Sequence, residues 1–280
     1  MKYIIPFLIL IITSSNVYSL GVMVLNTEFL WDDVQPHNGN LIGSKKPVPT
    51  AADYQREISF YAQLINDQKV NIVGLVEIEG CHIANALAAM ISKQKSWYVA
   101  CTRSRDTFTG QHVAILSTLP LIESSITSFP DISYQLKGKS VRPSKVVGVV
   151  TKSKNGHQFI VITAHLISKR GNNDAKRQAQ AAAIARSRDS LQQQYPKAHA
   201  IIMGDLNDVM GSKTLSTIVR GRGNNSLVSP STSSDCSYVY RGKCSLIDHI
   251  LISPSLSGGK LETVKMPSSI SDHRAVVYRR

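Results

Sequence analysis

Acidic residues are scarce in this 280-residue chain: 19 Asp and Glu stand against 32 Lys and Arg, a formal charge of +13. The imbalance makes an acidic partner the expectation, whether nucleic acid, an anionic membrane or a phosphorylated substrate, and charge alone does not choose among them. Long apolar runs are missing after the first dozen residues, so no later stretch reaches the ~20 residues that a spanning helix needs. Internal repeats, low-complexity blocks and long linkers are missing too, which favours a single compact domain over a string of modules. Charged residues make up only 18% of the chain against 42% hydrophobic, a balance that buries a sizeable core and excludes a disordered tail.

What is present begins with a leader. Met1 and Lys2 give a short basic start, Ile4 to Ile12 is apolar apart from Pro6, and Thr13 to Ser19 is small and polar. That order predicts a cleaved signal peptide over residues 1–19, with Val17 and Ser19 at the small positions before the cut, and a mature domain over 20–280 that is secreted or periplasmic. Cleavage removes one lysine and no acid, so the charge becomes +12. Four cysteines in an exported chain suggest two disulfides. Three connectivities are open; the expected one joins sequence neighbours, Cys81 with Cys101 and Cys236 with Cys244. The second pair brackets two short strands around an Arg-Gly turn, which brings its ends together. No Cys-x-x-Cys spacing supports zinc instead.

Short Val- and Ile-rich runs alternate with amphipathic segments along nearly the whole mature length, the signature of an α/β domain. Strands are expected at 22–25, 72–76, 112–116, 145–151, 159–164, 200–203, 247–252 and 275–278. Between 51 and 69, Tyr54, Ile58, Tyr61, Leu64 and Ile65 recur at three and four and define one helical face; 173–194 is a second, Ala-rich helix. The segments 30–49 and 221–234, rich in Gly, Pro, Ser and Asn, read as loops near a site.

The informative pattern is how the strands end. Asn26 and Glu28, Glu77 and Glu79, His165, Asp205 and Asn207, Asp248 and His249, and Asp272 and His273 all sit beside apolar strand residues. Alternation along a strand puts Asn26 with Glu28, Asp205 with Asn207, and Glu77 with Glu79 on common faces. Several strands can therefore feed polar groups into one pocket at a sheet edge.

The order of Glu77, Gly-Asp-Leu-Asn at 204–207, Leu-Ile-Asp-His at 246–249 and Ser-Asp-His at 271–273 resembles the endonuclease/exonuclease/phosphatase superfamily, in its deoxyribonuclease I-like branch, over residues 21–280. The resemblance implies a four-layered α/β sandwich, two sheets face to face with helices outside, and metal-dependent hydrolysis of phosphate esters. It implies Glu77 as main metal ligand, helped by Asn26, Glu28 and Asp272. An all-oxygen set suits a hard cation, so Mg²⁺ is expected, with Mn²⁺ or Ca²⁺ as alternatives. Asp205 and Asn207 would orient the attacking water and hold a phosphate oxygen. His273 would be kept basic by Asp248, and His165 would protonate the leaving alkoxide as general acid. His249 is expected to be a packing histidine.

Arg142 resembles an arginine that grips a backbone phosphate. Lys137, Lys139 and Lys145 around it, and Lys169, Arg170, Lys176 and Arg177 after His165, extend a phosphate track. The expected activity is sequence-nonspecific hydrolysis of DNA, with RNA as a further candidate, by a monomer with no stable membrane span. A sphingomyelinase is the nearest alternative, although Ser253 to Ile270 lacks the aromatic residue a membrane hairpin there would use. A phosphomonoesterase, and a basic nucleic-acid-binding protein without turnover, complete the alternatives.

Overall fold

The computed structural model describes residues 19–34, 48–91, 96–221 and 225–280. The expected leader lies almost wholly outside these residues, as does most of the expected loop at 30–49. In chain order the elements are β1 (Gly21–Leu30), α1 (Ala51–Gln68), β2 (Ile72–Ile78), α2 (Cys81–Met90), β3 (Tyr98–Cys101), β4 (His112–Ser117), β5 (Leu121–Thr127), β6 (Tyr134–Leu136), β7 (Lys139–Val141), β8 (Lys145–Lys152), β9 (Gln158–His165), α3 (Asp174–Gln194), β10 (His199–Asp205), α4 (Lys213–Val219), β11 (Tyr238–Tyr240), β12 (Lys243–Ser245), β13 (Asp248–Ile252), β14 (Lys260–Lys265) and β15 (Arg274–Arg279).

Two sheets carry the fold: a six-stranded one in the order β14-β15-β1-β2-β4-β3 and a five-stranded one in the order β13-β10-β9-β8-β5. Strand alternation divides their side chains among three cores. From β1, Val22 and Val24 enter the core between the sheets, where Val161, Ile201 and Ile250 meet them from the other side. Met23 and Leu25 point the opposite way, against Ile58, Tyr61 and Ile65 of α1 and Leu87 of α2. Ile160 and Ile162 of β9 turn outward onto Ile184 of α3 and Leu215 of α4. The layers are thus helix, sheet, sheet, helix, as the family resemblance implies.

Helix α1 is set by local chemistry. Thr50 caps its first turn and Asp53 returns the bond to the Thr50 backbone, while Lys69 ends it in the left-handed conformation. Its apolar face is the one the spacing predicts. Helix α3 departs from the expected Ala-rich burial, because Arg177 and Arg188 are also buried within it. Arg188 reaches the carbonyl of Ile218 (2.8 Å) and the carboxylate of Asp189, so its charge is satisfied where it lies. Both disulfides, Cys81–Cys101 and Cys236–Cys244, are present, each with Cα atoms 5.6 Å apart. By loop entropy each contributes roughly 2.5 to 3.5 kcal/mol.

Close backbone approach fixes how β9 and β10 pair next to the site. Gly204 has φ +134°, and a Cβ there would lie 2.0 Å from the carbonyl oxygen of Ala164. Gly204→Ala is therefore expected to destabilise the fold by about 3 kcal/mol, from strain and overlap together, read as a lower urea midpoint at unchanged slope.

Candidate active site

Each sheet sends three groups to the same edge. From the six-stranded sheet come Asn26 on β1, Glu77 on β2 and His273 just before β15; from the five-stranded sheet come His165 and Asp205, which end β9 and β10, and Asp248, which opens β13. Asp205 and Asp248 are direct partners in the β10–β13 ladder. The amide nitrogen of Asn26 ties the halves together, donating to Asp205 Oδ2 at 3.1 Å and to Glu77 Oε1 at 3.4 Å, with His273 Nε2 also 3.4 Å away. His273 Nδ1 lies 2.7 Å from Asp248 Oδ2. His165 Nε2 stands 3.7 Å from both Glu77 and Asp205, which are its carboxylate neighbours.

Several of these positions depend on backbone that strand alternation does not describe. Glu28, Glu77 and Asn207 all have positive φ, the kind of backbone strain that gathers at functional sites. The turn at Glu77 sends its carboxylate into the pocket, while Glu79 faces elsewhere: His82 Nε2 lies 3.8 Å from its carboxylate and 3.2 Å from that of Asp32. Glu77 and Glu79 thus do not share a face. Glu28 is likewise turned away from Asn26. Its Oε2 accepts the backbone N–H of Asp272 at 2.7 Å, which places both residues at the rim. Among the described residues, the carboxylate and imidazole donors grouped in this pocket are Glu77, His165 and Asp205, and Asp205, Asp248 and His273; Glu28 and Asp272 belong to neither group. Asn207 leaves the strand at a left-handed residue, its N–H donating to Asp205 Oδ1 and its amide to the Leu166 carbonyl, both at 2.9 Å.

Two pocket residues carry no sign at the ends of strands, because they stand at strand starts. Gln111, just before β4, donates to Glu77 Oε2 and accepts from Lys145 Nζ, each at 2.8 Å. Lys145 opens β8 directly opposite His165 in the ladder. Arg142 stays outside this group, exposed, with its guanidinium donating to the Pro130 carbonyl at 2.5 Å. Arg177 is not available to a phosphate track: it is buried against Asp208, and Lys169 binds the same carboxylate at 2.7 Å. His249 packs as expected, its Nε2 2.8 Å from the Asp208 carbonyl.

The electrostatics follow from burial. Asp205 is pushed up to about 8, by burial first and then by the negative charge of Asp248, with Glu77 adding to it. Burial raises Glu77 as well, against the opposing pull of Lys145 and His273. Burial opposes a charge on His273, yet the paired Asp248 outweighs it and lifts the imidazole to about 10. His165 goes the other way, well below its ordinary value, through burial and the neighbouring Lys145. Two largely buried acids in want of positive charge, with a neutral imidazole 3.7 Å from both, fit a divalent cation. Asp248 Oδ1 and His165 Nδ1 are buried with no protein partner.

A profile of the Endonuclease/Exonuclease/phosphatase family matches residues 22–276. The chain belongs to that family, whose members are metal-dependent hydrolases of phosphate esters. Among solved structures it is similar to an endonuclease/exonuclease/phosphatase from Bacteroides vulgatus, at 15% identity and TM-score 0.63 over 94% of this chain and 98% of that one. The human Nocturnin catalytic domain with bound sulfate aligns at 15% identity and TM-score 0.60 over 93% of each chain. Truncated Caenorhabditis elegans TDP2 aligns at 14% identity and TM-score 0.58, over 94% of this chain and 97% of that one. Among curated proteins, none matches this sequence.

Proposed function

We propose that the protein is an exported, Mg²⁺-dependent phosphodiesterase that hydrolyses nucleic acid with little sequence preference, using water as nucleophile. The observation that carries this reading is the Asp248–His273 pair facing Glu77 and Asp205 across Asn26, a proton donor and two acids gathered at one sheet edge. Glu77 and Asp205, with Asn26 beside them, would hold the cation. When bound, it supplies the charge that keeps both acids ionised and offsets negative charge on the phosphoryl group.

The chain's own groups divide the remaining work. His273, kept protonated by Asp248, donates through Nε2 to a non-bridging phosphate oxygen. Asp205 accepts a proton from the attacking water, and Asn207 holds Asp205 in place through its N–H. His165 is neutral in the free pocket; a phosphodiester beside it raises its proton affinity, so the imidazole gains a proton with substrate and returns it to the leaving oxygen. Lys145 sets the charge around Glu77 and His165. Arg142, with Lys137 and Lys139 nearby in sequence, provides an outer contact for a longer phosphate chain.

The test compares plasmid DNA, RNA, sphingomyelin and a phosphomonoester, each with Mg²⁺ and with chelator. Nucleic acid is expected to be cut fastest, with cleavage abolished by chelator and falling steeply as salt rises. Arg142→Ala is expected to weaken binding across all sequences alike and to flatten the salt slope by about one unit. Faster hydrolysis of sphingomyelin, or DNA cleavage indifferent to salt, would reject the nuclease reading.

A further inference from the structure

One wall of the pocket is a separate two-stranded hairpin, β11–β12, whose chemistry the hydrolytic machinery does not use. Its turn, Arg241-Gly242, has positive φ at both positions, so the loop is a tight two-residue connection. Cys236–Cys244 closes its base. Ser237, at that base, takes the backbone N–H of Asp248 on its hydroxyl and that of Arg274 on its carbonyl, anchoring the hairpin on both sides of the His273 site. Tyr238 is bridged to His273 through the backbone, and their rings lie 4.8 Å apart at 35°. Burial raises the Tyr238 phenol, against the opposing pull of the nearby Arg170 charge.

Alternation puts Tyr240 on the same face as Tyr238, one two-residue step of ~6.7 Å further out. Tyr240 is 55% exposed, and the Arg241 guanidinium lies 5.3 Å from its ring centre. A row of flat groups therefore leaves the catalytic histidine: His273, Tyr238, Tyr240, Arg241. Resting on the nucleic-acid reading above, we infer that this disulfide-clamped hairpin is a stacking platform for unpaired bases flanking the scissile phosphate, so that the preferred substrate is single-stranded or frayed nucleic acid. Aromatic faces accept any base, cations beside them follow the backbone, and a paired duplex offers no free base face to either tyrosine. A lipid surface suits the geometry less well, because the tyrosines lie on the face that meets His273, leaving only Val239 and its cross-strand partner Cys244 on the other.

The experiment measures cleavage of one labelled oligonucleotide as a single strand and as a duplex under the same Mg²⁺ and salt. Wild type is expected to favour the single strand. Tyr240→Ala is expected to lower the single-strand to duplex ratio about tenfold, through KM, with Tyr240→Trp restoring it. Cys236→Ser with Cys244→Ser, checked for folding by its melting transition, is expected to lower the same ratio by loosening the platform. A wild type that prefers duplex, a ratio unmoved by Tyr240→Ala, or Tyr240-dependent binding to phosphatidylserine vesicles would overturn the platform alone. Hydrolysis of bis(4-nitrophenyl) phosphate with no cleavage of either nucleic acid would instead overturn the nuclease reading beneath it.

Discussion

Asp205→Asn is expected to lower turnover on nucleic acid by about 100-fold or more while making the metal-free protein more resistant to unfolding. The two effects share one cause. A carboxylate lifted from 3.8 to about 8 by burial, Asp248 and Glu77 binds its proton more tightly in the folded chain than in the unfolded one. Stability from this group is greatest at low pH and declines as pH rises from about 4 through about 8. An amide cannot ionise, so the variant should lose that part of the slope. Melting curves in chelator across pH 5–9 would show it; a wild type with no decline beyond that of Asp205→Asn would refute the charge-crowded pocket. Added Mg²⁺ should raise the melting temperature of wild type, and Glu77→Gln should shrink that rise, because binding to the folded state alone is stabilising.

His273→Ala and Asp248→Asn are each expected to reduce turnover by about 100-fold or more, and the double variant should be little worse than either alone. Asp248 is fully buried, and its contact with the donating imidazole is at His273 Nδ1, 2.7 Å away. Once the imidazole is gone the carboxylate has nothing left to keep protonated, so the losses do not add. A double variant that fell by the product of the two losses would show that Asp248 acts on its own. The Asp248→Asn profile should also lose activity at lower pH than wild type does, since the carboxylate is what raises His273.

The strands that could be read from the sequence are those buried on both faces, such as 159–164 and 200–203, where Val and Ile follow one another without interruption. The short edge pieces β3, β6 and β7 lack such runs. Helix α2 escaped because its cap, Gly80, offers no side-chain signal, and Cys81–Met90 is apolar without a polar stripe. For the site, searching strand ends found Asn26, Glu77, His165 and Asp205. An antiparallel neighbour brings its start to the same edge, which is why Gln111 and Lys145 were not read as pocket residues. Alternation then misplaced Glu28 and Glu79, since it holds only while φ stays negative. Positive φ at Glu28 and Glu77 depends on how the sheets dock, which no local pattern encodes.

The hydrogen bonds that assemble the pocket join residues far apart along the chain: Asn26 meets Asp205 across 179 positions and His273 across 247. Contacts of such long sequence separation are slow to form and arrive late in folding. A full-length chain that has not yet folded carries every catalytic group yet no catalyst. The last described strand in chain order, β15, brings His273 to the site and pairs with β1, the first. Topology alone thereby withholds the assembled site until the two ends of the domain have come together.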